Sequence, residues 1–398
     1  MQKDLEPKKI IINCAYCGDA PLNHKLSYIE SLLGSLFDKQ MTIVAYNSPA
    51  FLKKFANTFP MYLFRFFGLF GKLEFSNDIN RVKTFRSKVI WEEANRRGIK
   101  MQQVILFNKP LDYYRTVVNN RNFYFESIPI PYKYLDMKKN WDDKLVLKKE
   151  LLKYDIPVPK SKLISIFNFY QTESVFNSLS KPIIVKPKNG SRGRHTITNI
   201  NTIDNFKKSL AIVNQISSFV SVEEHLQGPI CRATVVGGKL MGFYMAVPPE
   251  VIGDGKKTVK ELIEEKNKNK KERIEDIVIN IELENHINQS GLNVDSVLEK
   301  DVSLRLYHRG GRLFGGYTEE MLDYLHPSFI PIIEKAAQVT GLAVAGFDCI
   351  IPYPKEDSSQ QKWGIIEVNT LPFIDLHYYA WIGKPRNIAG AIWDMWKE

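Results

Sequence analysis

Between residues 9 and 135, short apolar runs rich in β-formers alternate with stretches of helical spacing. "KIIINCAY", "MTIVAYN", "MQQVILFN" and "NFYFESIPIP" read as strands and "RSKVIWEEANRRG" at 86–98 as a helix, so the pattern predicts an N-terminal α/β domain over 1–135. The Pro-containing segment 127–132 ends it. "WDDKLVLKKELLKYDI" at 141–156 returns to helical spacing, and "PVP" at 157–159 stops it. From 180 to 255 strand follows strand, with a glycine-rich break at 189–194 and "VVGGKL" at 235–240 as a hairpin turn; a small antiparallel sheet is expected in a second unit, 136–255. Thr258 and Glu261 have the spacing of a capping box that opens the helix "VKELIEEKNK". The helical run 327–341 and the two strands after it complete a third unit, 256–398.

The most apolar stretch, "FPMYLFRFFGLFG" at 59–71, is shorter than the ~18 apolar residues a spanning helix needs and is interrupted by Arg65. It reads as a buried or domain-facing helix, with an interfacial membrane helix as the alternative. The first twenty residues carry Asp4 and Glu6 and lack the apolar core of a signal peptide.

Composition narrows the class. With 398 residues, 44% hydrophobic and 25% charged, the chain is expected to fold around sizeable cores rather than to be disordered or coiled-coil. A net charge of +11 favours anionic partners without choosing among them. No interleaved basic and aromatic motif points to nucleic acid, and "KNKNKKER" at 266–273 reads as a solvated helix end. Four cysteines do not make a disulfide framework, which makes the cytoplasm the expected compartment. Cys14 and Cys17 form a CxxC with no second pair and read as strand-end residues rather than a zinc or redox site. Trp393 and Trp396 fall at packing spacing and read as core.

Two places carry chemistry. In "KPIIVKPKNGSRGRHTITNI", Lys186 ends an apolar strand and leads into a loop whose Gly190 and Gly193 free the backbone to turn N–H groups toward an anion, with Arg192 and Arg194 adding charge. The loop is no Walker motif, because no Gly-Lys-Ser/Thr opens a helix after it. The strands "VAGFDCIIPYP" and "WGIIEVNTLP" form a second candidate, an antiparallel hairpin. If it turns near residue 357, Glu367 lies opposite Asp348, and Asn369 projects from the same face. Two carboxylates and an amide there suit Mg²⁺, which takes hard oxygen ligands; the alternative is a salt bridge to a nearby arginine.

Lys144 in "DDK", Lys186 in "IIVKP", the loop "NGSRG", the strand "VEEHLQGP" and the "D…EVN" hairpin together resemble the ATP-grasp carboxylate-amine ligases. "VIGDGKKTVKELI", "GGRLFGGYTEEMLDYLHP" and "EVNTLPFIDLH…GKPRNIA" look most like the ATP-grasp module of cyanophycin synthetases and glutathione-type or amino-acid ligases, over about residues 140–398. The resemblance implies an ATP-grasp fold, α/β (α+β), in which an N-terminal α/β domain precedes two α+β subdomains that clasp ATP. Lys144 and Lys186 would hold its phosphates, and Gly190, Ser191, Arg192 and Gly193 would cover them. The strand Val222–Leu226 would read the adenine edge, with Glu223 and Leu226 at its contact points. Asp348, Glu367 and Asn369 would ligate two Mg²⁺, Glu367 bridging, and Arg305, favoured over Arg309 and Arg312, would contact an acyl phosphate. His377 and Asp375 are candidates for the acceptor side or for structural hydrogen bonds.

Two positions depart from the family pattern. Ile230 stands where related enzymes place a ribose-binding acid, and Ala246 where the cyanophycin-type pattern has an arginine; Lys256, Lys257 or Arg232 are the candidates to compensate. The expected function is an ATP- and Mg²⁺-dependent ligase joining an amino acid or short peptide to an amine, with small-molecule substrates and no nucleic acid. The alternative is a non-catalytic ATP-binding regulatory protein. Self-association is left open.

Overall fold

The computed structural model describes residues 14, 16–17, 22–33, 62–64, 66–118, 121–134, 139–141, 143–165, 168–188, 194–307 and 309–397. The strands expected at 9–16 and 41–47 therefore lie outside the described residues, apart from Cys14 and Tyr16.

The described N-terminal part is an antiparallel meander of β1 (Leu73–Ser76), β2 (Met101–Leu106), β3 (Lys109–Val118) and β4 (Arg121–Glu126), crossed by the helix Phe85–Arg96. Thr84 caps that helix by accepting the Ser87 N–H, and Val89, Ile90, Trp91 and Ala94 form its buried stripe. These residues share a core with Ile374, Ile388, Ile392 and Trp393 at the other end of the chain. Trp396 donates its indole N–H to the Pro129 carbonyl at 2.8 Å across the same contact. Residues 62–64 and 66–69 are helical. Phe64 is buried against Tyr113 and Tyr124, whereas Leu69 is 84% exposed and Phe66 and Phe70 also face solvent, so among the described aromatics of this stretch the expectation of a buried or domain-facing helix is met fully by Phe64 alone.

β5 (Ser161–Ser165), β6 (Ile183–Pro187), β7 (Ile197–Ile200) and β8 (Phe219–Glu224) make a small antiparallel sheet in the order β5-β8-β6-β7. The helices Thr172–Ser178 and Ile203–Val213 cover one face through Val175, Phe206, Leu210 and Val213. β9 (Ile230–Val236) and β10 (Lys239–Val247) form the predicted hairpin, with Gly237 and Gly238 at φ +58° and +79°, the left-handed pair a tight hairpin turn requires. β11 (Glu250–Ile252) and β12 (Ser303–Arg305) make a two-stranded arm, packed by the helix Val259–Lys268 with the predicted Thr258–Glu261 capping box. β13 (Tyr317–Glu320), β14 (Val344–Ile350) and β15 (Gly364–Asn369) then join the first hairpin in a five-stranded antiparallel sheet, β13-β10-β9-β14-β15.

That sheet takes strands from both sides of residue 255, so the expected boundary there runs through a continuous hydrogen-bonded layer. Its apolar face, with Cys231, Ala233, Phe243, Phe347 and Cys349, packs on the helix Phe329–Thr340 and on Leu147 and Leu151. Strand alternation turns the intervening residues to the opposite face, where the chemistry lies.

Candidate active site

Register carries one polar row across all five strands. Glu367 pairs with Asp348, Asp348 with Arg232, Arg232 with Tyr244, and Tyr244 with Glu320. The hairpin thus has the register that its spacing predicts, and Asn369 stands two residues beyond Glu367 with its amide 3.4 Å from Asp348. Lys144, at the start of the helix Lys144–Leu152, reaches Glu367 at 2.9 Å. Asp143 orients that start by accepting the Leu145 and Val146 N–H groups.

The two carboxylates of the hairpin are pushed in opposite directions. Burial pushes Asp348 up to about 6 despite its ion pair with Arg232, and contact with Glu367 adds to the rise. Glu367 goes the other way: burial opposes its ionisation, but the hydrogen bond with Asp348 and the Lys144 ammonium hold it down to about 2. Two touching carboxylates beside an amide are a donor set of hard oxygens, so Asp348, Glu367 and Asn369 fit Mg²⁺. The salt bridge to an arginine is present as well, which makes the two sequence alternatives compatible.

On the small sheet the balance is reversed. Glu223, 2% exposed, accepts Lys186 at 2.9 Å and Lys148 at 2.6 Å on one oxygen, and the Ser221 hydroxyl at 2.9 Å on the other. Burial disfavours its charge, but the two lysines hold it down to about 2. Lys148, absent from the sequence reading, is pushed down to about 8 by burial and by the neighbouring Lys186 and Lys144, against the pull of Glu223. Its signal was faint, a lysine on the apolar stripe of a helix.

No family model matches the chain. Cyanophycin synthetase from Synechocystis sp. is 30% identical over 248 residues, 60% of this chain and 28% of that protein. The glutathione biosynthesis bifunctional protein GshAB of Pasteurella multocida is 27% identical over 266 residues, 64% of this chain and 35% of the relative. A crystal structure of a bifunctional glutathione synthetase from Pasteurella multocida matches 78% of this chain and 44% of its own, with a TM-score of 0.58 and 24% identity. The chain is similar in sequence to cyanophycin synthetases and to bifunctional glutathione-biosynthesis proteins, and its fold is the ATP-grasp fold. It spans about a third of the length of the curated relatives it matches.

On this ATP-grasp frame the remaining candidates separate. Gly190, Ser191, Arg192 and Gly193 lie outside the described residues. Glu223 turns its side chain into the lysine cluster, while Leu226 lies just past the end of β8, buried beside Gly364. Arg305 is exposed on β12 opposite Glu250, and Arg309 is paired with Glu282. Arg312 differs from both. It follows Gly311, which packs against Ala246, and its guanidinium is 3.9 Å from Asp375.

Ala246 lies on the site face of β10, two residues beyond Tyr244, with the backbone of Gly311 beside it. Lys257 is paired with Glu265 and Asp254 at the surface. Arg273 also leaves the solvated run expected at 266–273: it reaches Asp375 at 3.1 Å and stacks over Phe85 and Tyr379. Asp375 is fully buried, and burial raises it despite both arginines. His377 lies between Thr234 at 2.7 Å and Glu320 at 2.6 Å with no exposure, which is the structural alternative of the sequence reading. No helix among the described residues is long and apolar enough to cross a membrane.

Proposed function

We propose that the chain is an ATP-dependent ligase that joins a small carboxylate, an amino acid or short peptide, to an amine through an acyl phosphate. The observation that carries the reading is the triad Asp348, Glu367 and Asn369 on one sheet face, tied to Lys144 and Arg232. The substrate carboxylate attacks the terminal phosphorus and ADP leaves; the amine then attacks the acyl carbon, phosphate leaves and the amine loses a proton. Lys144 and Lys186 hold the phosphate oxygens, and Arg312 offers a donor to the developing negative charge. Bound at Asp348, Glu367 and Asn369, Mg²⁺ supplies charge neutralisation and orientation of the phosphates. No protein nucleophile is needed.

The test is product analysis with a panel of amino acids and short peptides. ADP and phosphate released only when carboxylate and amine are both present support the ligase. AMP with pyrophosphate overturns the acyl-phosphate route. Ile230, 37% exposed at the start of β9, favours a second reading, a nucleotide-binding regulator. Mg²⁺-dependent ATP binding with no turnover across the panel would select it.

A further inference from the structure

Cys14, Cys17, His24 and His195 come together although His195 stands 178 residues beyond Cys17. Cys17 lies in a turn closed by its N–H donating to the Cys14 carbonyl at 3.1 Å, and a helix over 24–33 begins at His24. From the small sheet, His195 precedes β7 with φ +47° and donates its backbone N–H to the Tyr16 carbonyl at 2.8 Å. The Sγ atoms of Cys14 and Cys17 are each 3.5 Å from Nε2 of His195, and Cys17 Sγ is 3.2 Å from Nε2 of His24. All four potential ligand atoms lie within 4.8 Å of one another.

Hydrogen bonding would use the four groups as two pairs, Cys14 with His195 and Cys17 with His24, and would give the approach of the Cys17 sulfur to His195 no role. Nδ1 of His195 is 2.9 Å from the Ile212 carbonyl, which can only accept, so Nδ1 carries the ring proton and Nε2 presents a single lone pair. Two thiols meet at that lone pair, and only one can donate to it. A single cation would engage both sulfurs and both nitrogens. With zinc bonds of about 2.3 Å to sulfur and 2.0–2.1 Å to nitrogen, tetrahedral geometry separates neighbouring S and N by about 3.5 Å, close to the spacing found. Anchoring the far ring nitrogen on a carbonyl is also how metal-binding histidines are oriented.

We propose that Cys14, Cys17, His24 and His195 bind a zinc ion. Thiolate and imidazole select zinc over Mg²⁺ or Ca²⁺, and four protein ligands leave no open position, which makes the site structural. The ion pins Cys14, Cys17 and the helix over 24–33 to the small sheet, near which Ser31 also meets the hydroxyls of Ser217 and Ser218 at 3.0 and 3.1 Å.

The experiment uses the full chain, purified under reducing conditions without chelator, with zinc measured by plasma mass spectrometry and the ion then exchanged for Co²⁺. About one zinc per chain and the visible bands of tetrahedral, thiolate-bound Co²⁺ are expected. Cys17→Ser and His195→Gln should lose the metal, while His326→Gln, outside the cluster, should keep it. A native chain that retains no zinc against a weak chelator, lacks the thiolate bands, or holds Cys14 and Cys17 as a disulfide overturns the site. So does zinc binding that survives Cys17→Ser. Stoichiometry and spectrum of the unsubstituted protein decide the matter even if a variant fails to fold.

Discussion

Glu223 and Asp348 are both buried sheet carboxylates beside cations, yet their surroundings push them in opposite directions. Glu223 has two ammonium groups within 2.9 Å and stays ionised down to about 2. Asp348 has a single arginine and a second carboxylate against it, and burial drives it up to about 6. One cluster is left with surplus positive charge and the other with crowded negative charge. On the proposed function the first would face phosphates and the second a divalent cation, as complementary halves of one site.

The largest effect that would break this comparison is on stability. Glu223→Gln leaves Lys148 and Lys186 buried without a counter-ion and should cost about 3–5 kcal/mol, read from denaturant unfolding. The acid limb should change with it. Because the folded-state pKa of Glu223 lies below its ordinary 4.5, its contribution is complete above 4.5 and is lost as pH falls from 4.5 toward about 2. The variant's stability should therefore be flatter across that window; an unchanged profile would show that the lysines do not stabilise the charge.

Glu367→Gln should do the reverse. Metal-free stability should change little, because relief of Asp348 from the touching carboxylate offsets the loss of the Glu367–Lys144 ion pair, while turnover falls on the order of 100-fold. ADP release and the Mg²⁺-ATP thermal shift measure both, and wild-type turnover with an intact shift would reduce the hairpin to an ion-pair site. Lys186→Ala sharpens the contrast more gently. Lys148 still pairs with Glu223, so unliganded stability should change little while ATP affinity drops about tenfold, the worth of one charge-assisted contact. A large loss of unliganded thermal stability would make Lys186 structural. The smallest effect expected is at Ile230. Ile230→Glu sits on an exposed strand start, so it should fold normally and bind ATP at least as tightly as the parent in calorimetric titration; weaker binding would mean that the ribose lies elsewhere.

The two halves were not equally legible. Period-two alternation on either side of a short polar loop was enough to bring Glu367 opposite Asp348, since hairpin register follows from local spacing. Arg232, Tyr244 and Glu320 join the same row only through pairings between strands far apart in sequence. Arg273 was read as one more cation in a basic run because nothing near it announces Asp375, 102 residues away. His195 likewise has no local partner that would mark it as a companion of Cys17.

The shared core between Val89, Ile90 and Trp91 and Ile374, Ile388, Ile392 and Trp393 bears on how the protein can be cut. Arg86 ties the same contact down through the Leu371 carbonyl and Ser127, and lies over the Phe373 ring. A chain shortened to begin at residue 136 keeps every residue of the polar row but strips the lining from those C-terminal side chains, leaving an oily scar next to the strand that carries Glu367 and Asn369. Such a fragment should precipitate or demand detergent, and the N-terminal third is better regarded as the missing wall of the C-terminal part than as a detachable accessory.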